Sequence, residues 1–263
     1  MLQIKSLKKV FKHEFDLEQT IFNNFSLTVN DSDFITIIGS NGAGKSTLLN
    51  LIAGTLSPDE GEILYKGTNI EHLPNYKRSS FISYVHQDPS LGVAPNLTLL
   101  ENLSMAWNKR NQNPLSRGIR KKEIGMFKEK LALCDLGLEN MLDKRVKTLS
   151  GGQRQAVSLI MSILHKPSIL LLDEHTAALD PATAVKILSM TRQLVDTSRV
   201  TTLMVTHNMQ QALEYGNRLL MLDQGKIILD VQGKEKESLT PKDLIEQFNQ
   251  LKMSSLSDRL VLA

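Results

Sequence analysis

Cysteine is nearly absent from this chain: Cys134 is the only one among 263 residues. A lone cysteine excludes an internal disulfide and fits a reducing compartment. Tryptophan occurs once and aromatic residues make up 5% of the chain. No apolar run approaches the ~20 residues needed to cross a bilayer, so membrane association would have to come through a partner. The opening Met1-Leu2-Gln3-Ile4-Lys5 alternates like a strand and lacks the apolar core of a signal peptide. A single-sign charge excess is missing too. The formal net charge of +3 is small and dispersed, which argues against nucleic acid as a partner. The densest basic stretch, Lys109 to Lys130, also carries Glu123 and Glu129 and reads as a solvated helical face.

What remains is the profile of a globular protein with one sizeable α/β core, 41% hydrophobic and 22% charged. Ile4 to Val10 and Phe22 to Val29 alternate as strands. Phe34 to Ile38 is a β-branched apolar run of the kind buried on both faces of a parallel sheet. A helix over Ser46 to Ile52 and strands over Gly61 to Tyr65 and Phe81 to His86 follow. From about Pro89 to Thr148 glycine thins out, and Leu99 to Trp107 and Lys121 to Leu136 carry apolar residues at helical spacing. This block reads as a mostly helical insertion. Strand and helix then alternate again from Ile169 to Asp230, which predicts βαβ units and a largely parallel core sheet. Thr240 and Pro241 open a last helix, with Leu244, Ile245, Phe248 and Leu251 expected on one docking face. The expectation is one α/β domain, with sheet core over 1–88 and 165–263, helical block over 89–164, and helix and tail over 240–263.

The chemistry sits in short motifs. Gly39-Ser40-Asn41-Gly42-Ala43-Gly44-Lys45-Ser46-Thr47 matches the phosphate-binding loop pattern, with an apolar strand before it and a helix after it. Its glycines let backbone N–H groups converge on phosphate oxygens, and the helix N-terminus adds partial positive charge. Lys45 would reach the β- and γ-phosphates and Ser46 would ligate Mg²⁺. Ile169 to Glu174 is a hydrophobic strand ending in two acids. Asp173 is placed to hold Mg²⁺ and Glu174 to polarise the attacking water. Thr201 to His207 ends another buried strand in a histidine, at the sheet edge where α/β folds bind ligands. Ser150-Gly151-Gly152-Gln153, after Leu149, is a serine-capped glycine turn and makes a second anion site. One nucleotide needs one phosphate loop, so the second site is expected to serve a nucleotide held by a partner copy in a C2 head-to-tail sandwich.

In these motifs and their order, the chain resembles the nucleotide-binding subunit of an ATP-binding cassette (ABC) transporter over essentially its whole length. The glycine loop comes first, then Gln87 after a strand, the Leu149 to Gln153 signature, the acid strand, Ala178-Leu179-Asp180 and His207. The resemblance implies the P-loop NTPase fold with an N-terminal antiparallel β subdomain and an inserted helical subdomain. It implies ATP hydrolysis with Mg²⁺, a homodimer sandwiching two ATP, membrane permease subunits, a solute-binding protein reached through the permease, and residence at the cytoplasmic face of the cell membrane. By that resemblance Gln87 senses Mg²⁺ and the lytic water, Asp180 connects the two sites across the dimer, and His207 contacts the γ-phosphate. Adenine would stack on an aromatic residue after the first strand, Phe11 first and Phe15 second.

Three departures stand out: His175 where the family usually has proline, a signature helix reading Arg154 to Met161 without the usual arginine-bearing ending, and Asn30-Asp31-Ser32-Asp33 in place of a glycine-bearing turn. These variants resemble a bacterial importer subgroup associated with aromatic amino-acid uptake, tryptophan or tyrosine. An exporter ATPase and a soluble iron–sulfur-assembly ATPase share the motifs and stand as alternatives. A chromosome-maintenance ATPase does not, because the helical block is too short for its coiled coil.

Overall fold

The structure, a computed structural model, describes residues 1–12, 18–108 and 118–249. Phe15, Lys109 and Leu251 lie outside them. Two sheets share the chain. The first is antiparallel: β1 (Leu2–Lys12), β2 (Glu18–Val29), β4 (Glu60–Tyr65) and β5 (Thr68–Asn69), ordered β2-β1-β4-β5. The second holds β3 (Phe34–Gly39), β6 (Ile82–Val85), β7 (Ile169–Asp173), β8 (Thr201–Val205), β9 (Arg218–Asp223) and β10 (Lys226–Gln232), ordered β10-β9-β3-β8-β7-β6. From β9 to β6 every pairing is parallel, and only the β9–β10 hairpin at the edge runs antiparallel.

The side-chain alternation of each central strand feeds two cores at once. On β7, Leu170 and Leu172 face the helices while Ile169 and Leu171 face the other way. The helical side is packed by α3 (Leu99–Asn108), α4 (Ile124–Ala132), α5 (Gly151–Leu164) and α6 (Pro181–Ser198). The opposite side packs against α1 (Lys45–Ala53) and the inner face of the antiparallel sheet through Leu2, Ile4, Phe22 and Leu27. The short helix α2 (Asn75–Arg78) delivers Arg78 to the end of α1. That guanidinium is 1% exposed and donates to the carbonyls of Leu51, Ile52, Glu71 and Leu73. It satisfies carbonyls that the helix end leaves without partners and sits at the negative end of the dipole. After α7 (Met209–Glu214) and β10 come α8 (Lys234–Ser238) and a ninth helix, α9, over 241–249, and a third, smaller core lies under β9, β10, α7 and α9.

Two expectations need correction. The helix expected from Lys121 to Leu136 is a 3₁₀ turn over Lys121–Glu123 followed by α4, which ends at Ala132. Asp135 (φ 49°) and Gly137 (φ 68°) then break the helical path. On α9, Leu244 is fully buried and Phe248 packs beside it, but Ile245 is 46% exposed and points away from that face. Spacing of one residue turns a side chain by about 100° around the axis, so Leu244 and Ile245 cannot both dock edge-on to a small core. Among the described residues of the basic stretch, Lys121, Lys122 and Lys128 are exposed, whereas Glu123 is buried and does not belong to a solvated face.

Candidate functional site

The phosphate loop links β3 to α1, and its shape is set where a side chain would not fit. A Cβ at Gly39 would lie 2.2 Å from the Leu222 carbonyl oxygen on β9, and one at Gly44 (φ 98°) would lie 2.7 Å from the Phe22 ring. Ala43 N–H donates to Ser40 O at 3.2 Å, closing the turn. The hairpin between β9 and β10 braces it from outside: Ser40 Oγ donates to Asp223 Oδ1 at 2.7 Å and Gly225 N–H to Ala43 O at 3.2 Å. Gly44 starts α1 without any side-chain cap, so the first N–H groups of the helix face the loop unsatisfied by side chains. Lys45 is buried, and its Nζ donates to Gly39 O at 3.0 Å and Ser40 O at 2.9 Å. Burial pushes the pKa of this ammonium down, while the carboxylates of Glu174 and Asp173 pull it back up.

The acids arrive on β7. Asp173 closes the strand, and its Oδ1 accepts from Ser46 Oγ at 3.0 Å. Its Oδ2 accepts from the Tyr84 hydroxyl at 2.7 Å. Tyr84 pairs with Leu171 across the parallel β6–β7 ladder, so period-two alternation puts Tyr84 and Asp173 on the same face. Burial and the neighbouring carboxylate raise the Tyr84 hydroxyl's pKa, keeping it a donor. Glu174 follows with a left-handed backbone, φ 46°. Its N–H donates to Val205 O at 3.1 Å and its carbonyl accepts from Ala177 N–H at 2.9 Å, so both main-chain groups are engaged. His207 leaves the end of β8. Its Nε2 stands 2.6 Å from Glu174 Oε1. Thr206 Oγ1 accepts from Asn208 N–H, and Asn208 caps α7 by accepting from Gln211 N–H, which anchors the turn on which His207 sits.

These groups converge on one cavity of about 260 Å³, lined by Ile21, Asn41, Gly42, Gly44, Lys45, Ser46, Thr47, Glu174 and His207. Ile21, half-buried on β2, was not legible as a site residue, because only the tertiary placement of the antiparallel sheet brings it to the loop. Phe11 does not line this cavity. It pairs with Gln19, and the Lys9 ammonium lies 5.5 Å from its ring centroid. Gln87 does not line it either. It is exposed, two residues beyond β6, in a segment tied to α5 by Gln155 Nε2 donating to His86 O at 3.3 Å.

The glycine turn at the start of α5 lies elsewhere. Ser150 Oγ accepts from Gln153 N–H at 3.2 Å while Gln153 Oε1 accepts from Ser150 N–H at 3.0 Å, a reciprocal capping box. The Gln153 carboxamide is thereby used in capping, and Ser150 is exposed. Gly152 abuts the start of α6: a Cβ there would lie 2.3 Å from Thr183 Cγ2. Asp180, exposed, caps α6 by accepting from Thr183 N–H at 3.0 Å, and this bond holds its carboxyl below the usual carboxylate range. Ser150, Gly151, Gly152, Gln153 and Asp180 are all absent from the lining of the phosphate-loop cavity. His175, at the position of the unusual residue, is buried, and its Nε2–H donates to Thr191 Oγ1 at 3.2 Å, since that hydroxyl itself donates to Ile187 O. Burial lowers its pKa to about 4.

Residues 22–177 match the family profile described as ABC transporter. A tyrosine transport ATP-binding protein of Clostridioides difficile is 49% identical over 94% of this chain and 98% of its own length. A spermidine/putrescine import ATP-binding protein, PotA of Haemophilus influenzae, is 33% identical over 89% of this chain, which spans 59% of that relative. Among solved structures, the dimeric post-hydrolysis state of the ATP-binding cassette MJ0796 bound to ADP and Pi superposes with a TM-score of 0.76 at 28% identity, over 88% of this chain and 98% of that one.

Proposed function

The chain belongs to the ABC transporter family, and from that premise we propose that it powers uptake of an aromatic amino acid, tyrosine first, through separate permease subunits at the cytoplasmic face of the membrane. As an ABC ATP-binding cassette it binds and hydrolyses ATP. The observation that carries the catalytic reading is the convergence of Lys45, Ser46, Glu174 and His207 on one cavity, with Asp173 hydrogen-bonded to Ser46 behind it.

The donor set also fits Mg²⁺. Two hard oxygens, Ser46 Oγ and Asp173 Oδ1, meet at 3.0 Å beside the phosphate loop, and Mg²⁺ takes one or two such protein ligands with phosphate and water completing its shell. When bound, it neutralises charge on the β- and γ-phosphates. The loop N–H groups and Lys45 hold the phosphates, and Glu174 polarises the water for in-line attack at the γ-phosphorus. His207, 47% exposed at the rim beside a Glu174 that is 13% exposed, closes over the γ-phosphate. Because the Ser150 turn and Asp180 lie outside this cavity, they complete the site of a second copy in a homodimer. The helical block over 89–164 closes against the sheet core over 1–88 and 165–263, and the segment from Gln87 to Leu103 passes that motion to the permease. Phe11 remains the proposed adenine platform.

The uptake reading is supported by the names of the transport and import relatives; nothing observed favours the exporter or iron–sulfur-assembly alternatives. The test is purification of the Glu174→Gln chain from its native host in mild detergent with ATP and Mg²⁺. The expected result is a co-purifying multi-spanning permease whose loss abolishes uptake of labelled tyrosine. A soluble partner with no membrane protein overturns the transport reading.

A further inference from the structure

The phosphate-loop cavity is supported by a residue that belongs neither to its lining nor to any of the sequence motifs. Tyr84 sits on β6, three residues before Gln87, with its ring packed against the core shared by α1 and both sheets. Its ring centroid lies 4.3 Å from that of His86, at an interplanar angle of 30°. The core on one side and the imidazole on the other fix the ring, and so the place of its hydroxyl. That hydroxyl donates to Asp173 Oδ2 at 2.7 Å, the short distance of a charge-assisted bond. Asp173 Oδ1 meanwhile accepts from Ser46 Oγ. One carboxylate is held by two hydroxyls, one from α1 and one from the neighbouring strand. A carboxylate tethered at a single oxygen can swing about its Cβ–Cγ bond; tethered at both, it has one orientation.

We propose that Tyr84 is a positioning residue for the Mg²⁺ site, fixing the Asp173 carboxylate so that Oδ1 is presented beside Ser46. This rests on the assignment of Ser46 and Asp173 to Mg²⁺ above. Partners that orient a metal ligand govern metal affinity without touching the metal, and removing one costs about ten- to a hundredfold. Tyr84→Phe deletes only the hydroxyl and keeps the ring in its packing.

The experiment is Mn²⁺ titration, followed by the electron paramagnetic resonance of the bound ion, on the full-length Glu174→Gln chain with ATP, with and without Tyr84→Phe. ATP binding in EDTA and the thermal unfolding midpoint are measured alongside. The expected result is at least a tenfold loss of Mn²⁺ affinity with metal-free ATP binding unchanged. In the chain with Glu174 intact, the Mg²⁺ concentration for half-maximal turnover rises by the same factor. Unchanged Mn²⁺ affinity overturns the proposal. A parallel loss of metal-free ATP binding overturns it too, since that is the mark of general packing damage. A parent chain that binds ATP yet no Mn²⁺ overturns instead the metal assignment on which the proposal rests.

Discussion

His207 Nε2 and Glu174 Oε1 stand 2.6 Å apart, one brought by the end of β8 and the other by the end of β7. The two strands are parallel neighbours, with Asp173 in register with Val205, so sheet pairing brings the two strand ends together, and the left-handed Glu174 and the turn anchored by Thr206 and Asn208 complete the approach. In the proposed mechanism, water polarisation by Glu174 and γ-phosphate contact by His207 are coupled through this one contact. His207→Ala is expected to lower kcat by about a hundredfold or more, the cost of about 2.7–4 kcal/mol for losing one aimed donor. ATP affinity should stay within a few-fold, because the proposed mechanism assigns phosphate binding to the loop and Lys45. Steady-state phosphate release together with equilibrium nucleotide binding checks this, and a variant with near-normal turnover removes His207 from the mechanism.

Gly152→Ala should destabilise the fold by about 1–3 kcal/mol, the usual cost of forcing a methyl into occupied space. The obstruction is Thr183 Cγ2 at 2.3 Å; the next atoms, Thr183 Cβ at 3.4 Å and Oγ1 at 3.6 Å, lie at ordinary contact. Adding Thr183→Ser removes the obstructing methyl and should restore most of the loss. Denaturant unfolding of the single and double variants measures the rescue, and its absence would locate the damage elsewhere.

Arg78→Lys should cost about 3 kcal/mol in the same assay. The guanidinium reaches four carbonyls that a single ammonium cannot span, and each buried carbonyl left without a donor is penalised. Since two of them, Leu51 O and Ile52 O, belong to the last turn of α1, amide exchange should rise first in that turn.

His175 makes stability depend on pH. In the folded chain its imidazole stays neutral down to about 4, whereas the unfolded chain protonates it near 6.5. The unfolded state thus binds the extra proton between those values, so its contribution is complete above about pH 6.5 and drains away as pH falls toward 4. At pH 5 the difference amounts to about 2 kcal/mol. His175→Gln should flatten the unfolding free energy between pH 7.5 and 5 relative to the parent chain. Parallel pH curves for the two would show that the buried imidazole is not the titrating group.

Much of this site can be read from residues in order, because the motifs are local. A glycine loop between an apolar strand and a helix, two acids ending a second strand and a histidine ending a third all project from the carboxyl edge of one parallel sheet. The serine cap at Ser150 is readable for the same reason, since it and the N–H it accepts from lie three residues apart; the reciprocal bond from the Gln153 carboxamide is not part of that reading. Residues whose roles depend on distant pairings were not readable. Tyr84 meets Asp173 across 89 residues, and Thr183 meets Gly152 only because two helix starts abut. Ile21 reaches the cavity through the docking of one sheet on another. Ile245 differs for the opposite reason: an apolar residue need not be buried, and here Leu244 and Phe248 pack on the core while Ile245 stays 46% exposed.

The left-handed backbone at Glu174 settles which way its side chain leaves the strand, with its N–H and carbonyl both fastened. The direction of the Cα–Cβ bond therefore belongs to the main chain, and any unbranched occupant inherits it. Glutamine at this position keeps the backbone and the chain length, so loss of turnover there reports the missing charge and the altered contact with His207, not a redirected backbone. A β-branched residue would have to pull against the main chain itself, and its failure would report geometry instead of chemistry.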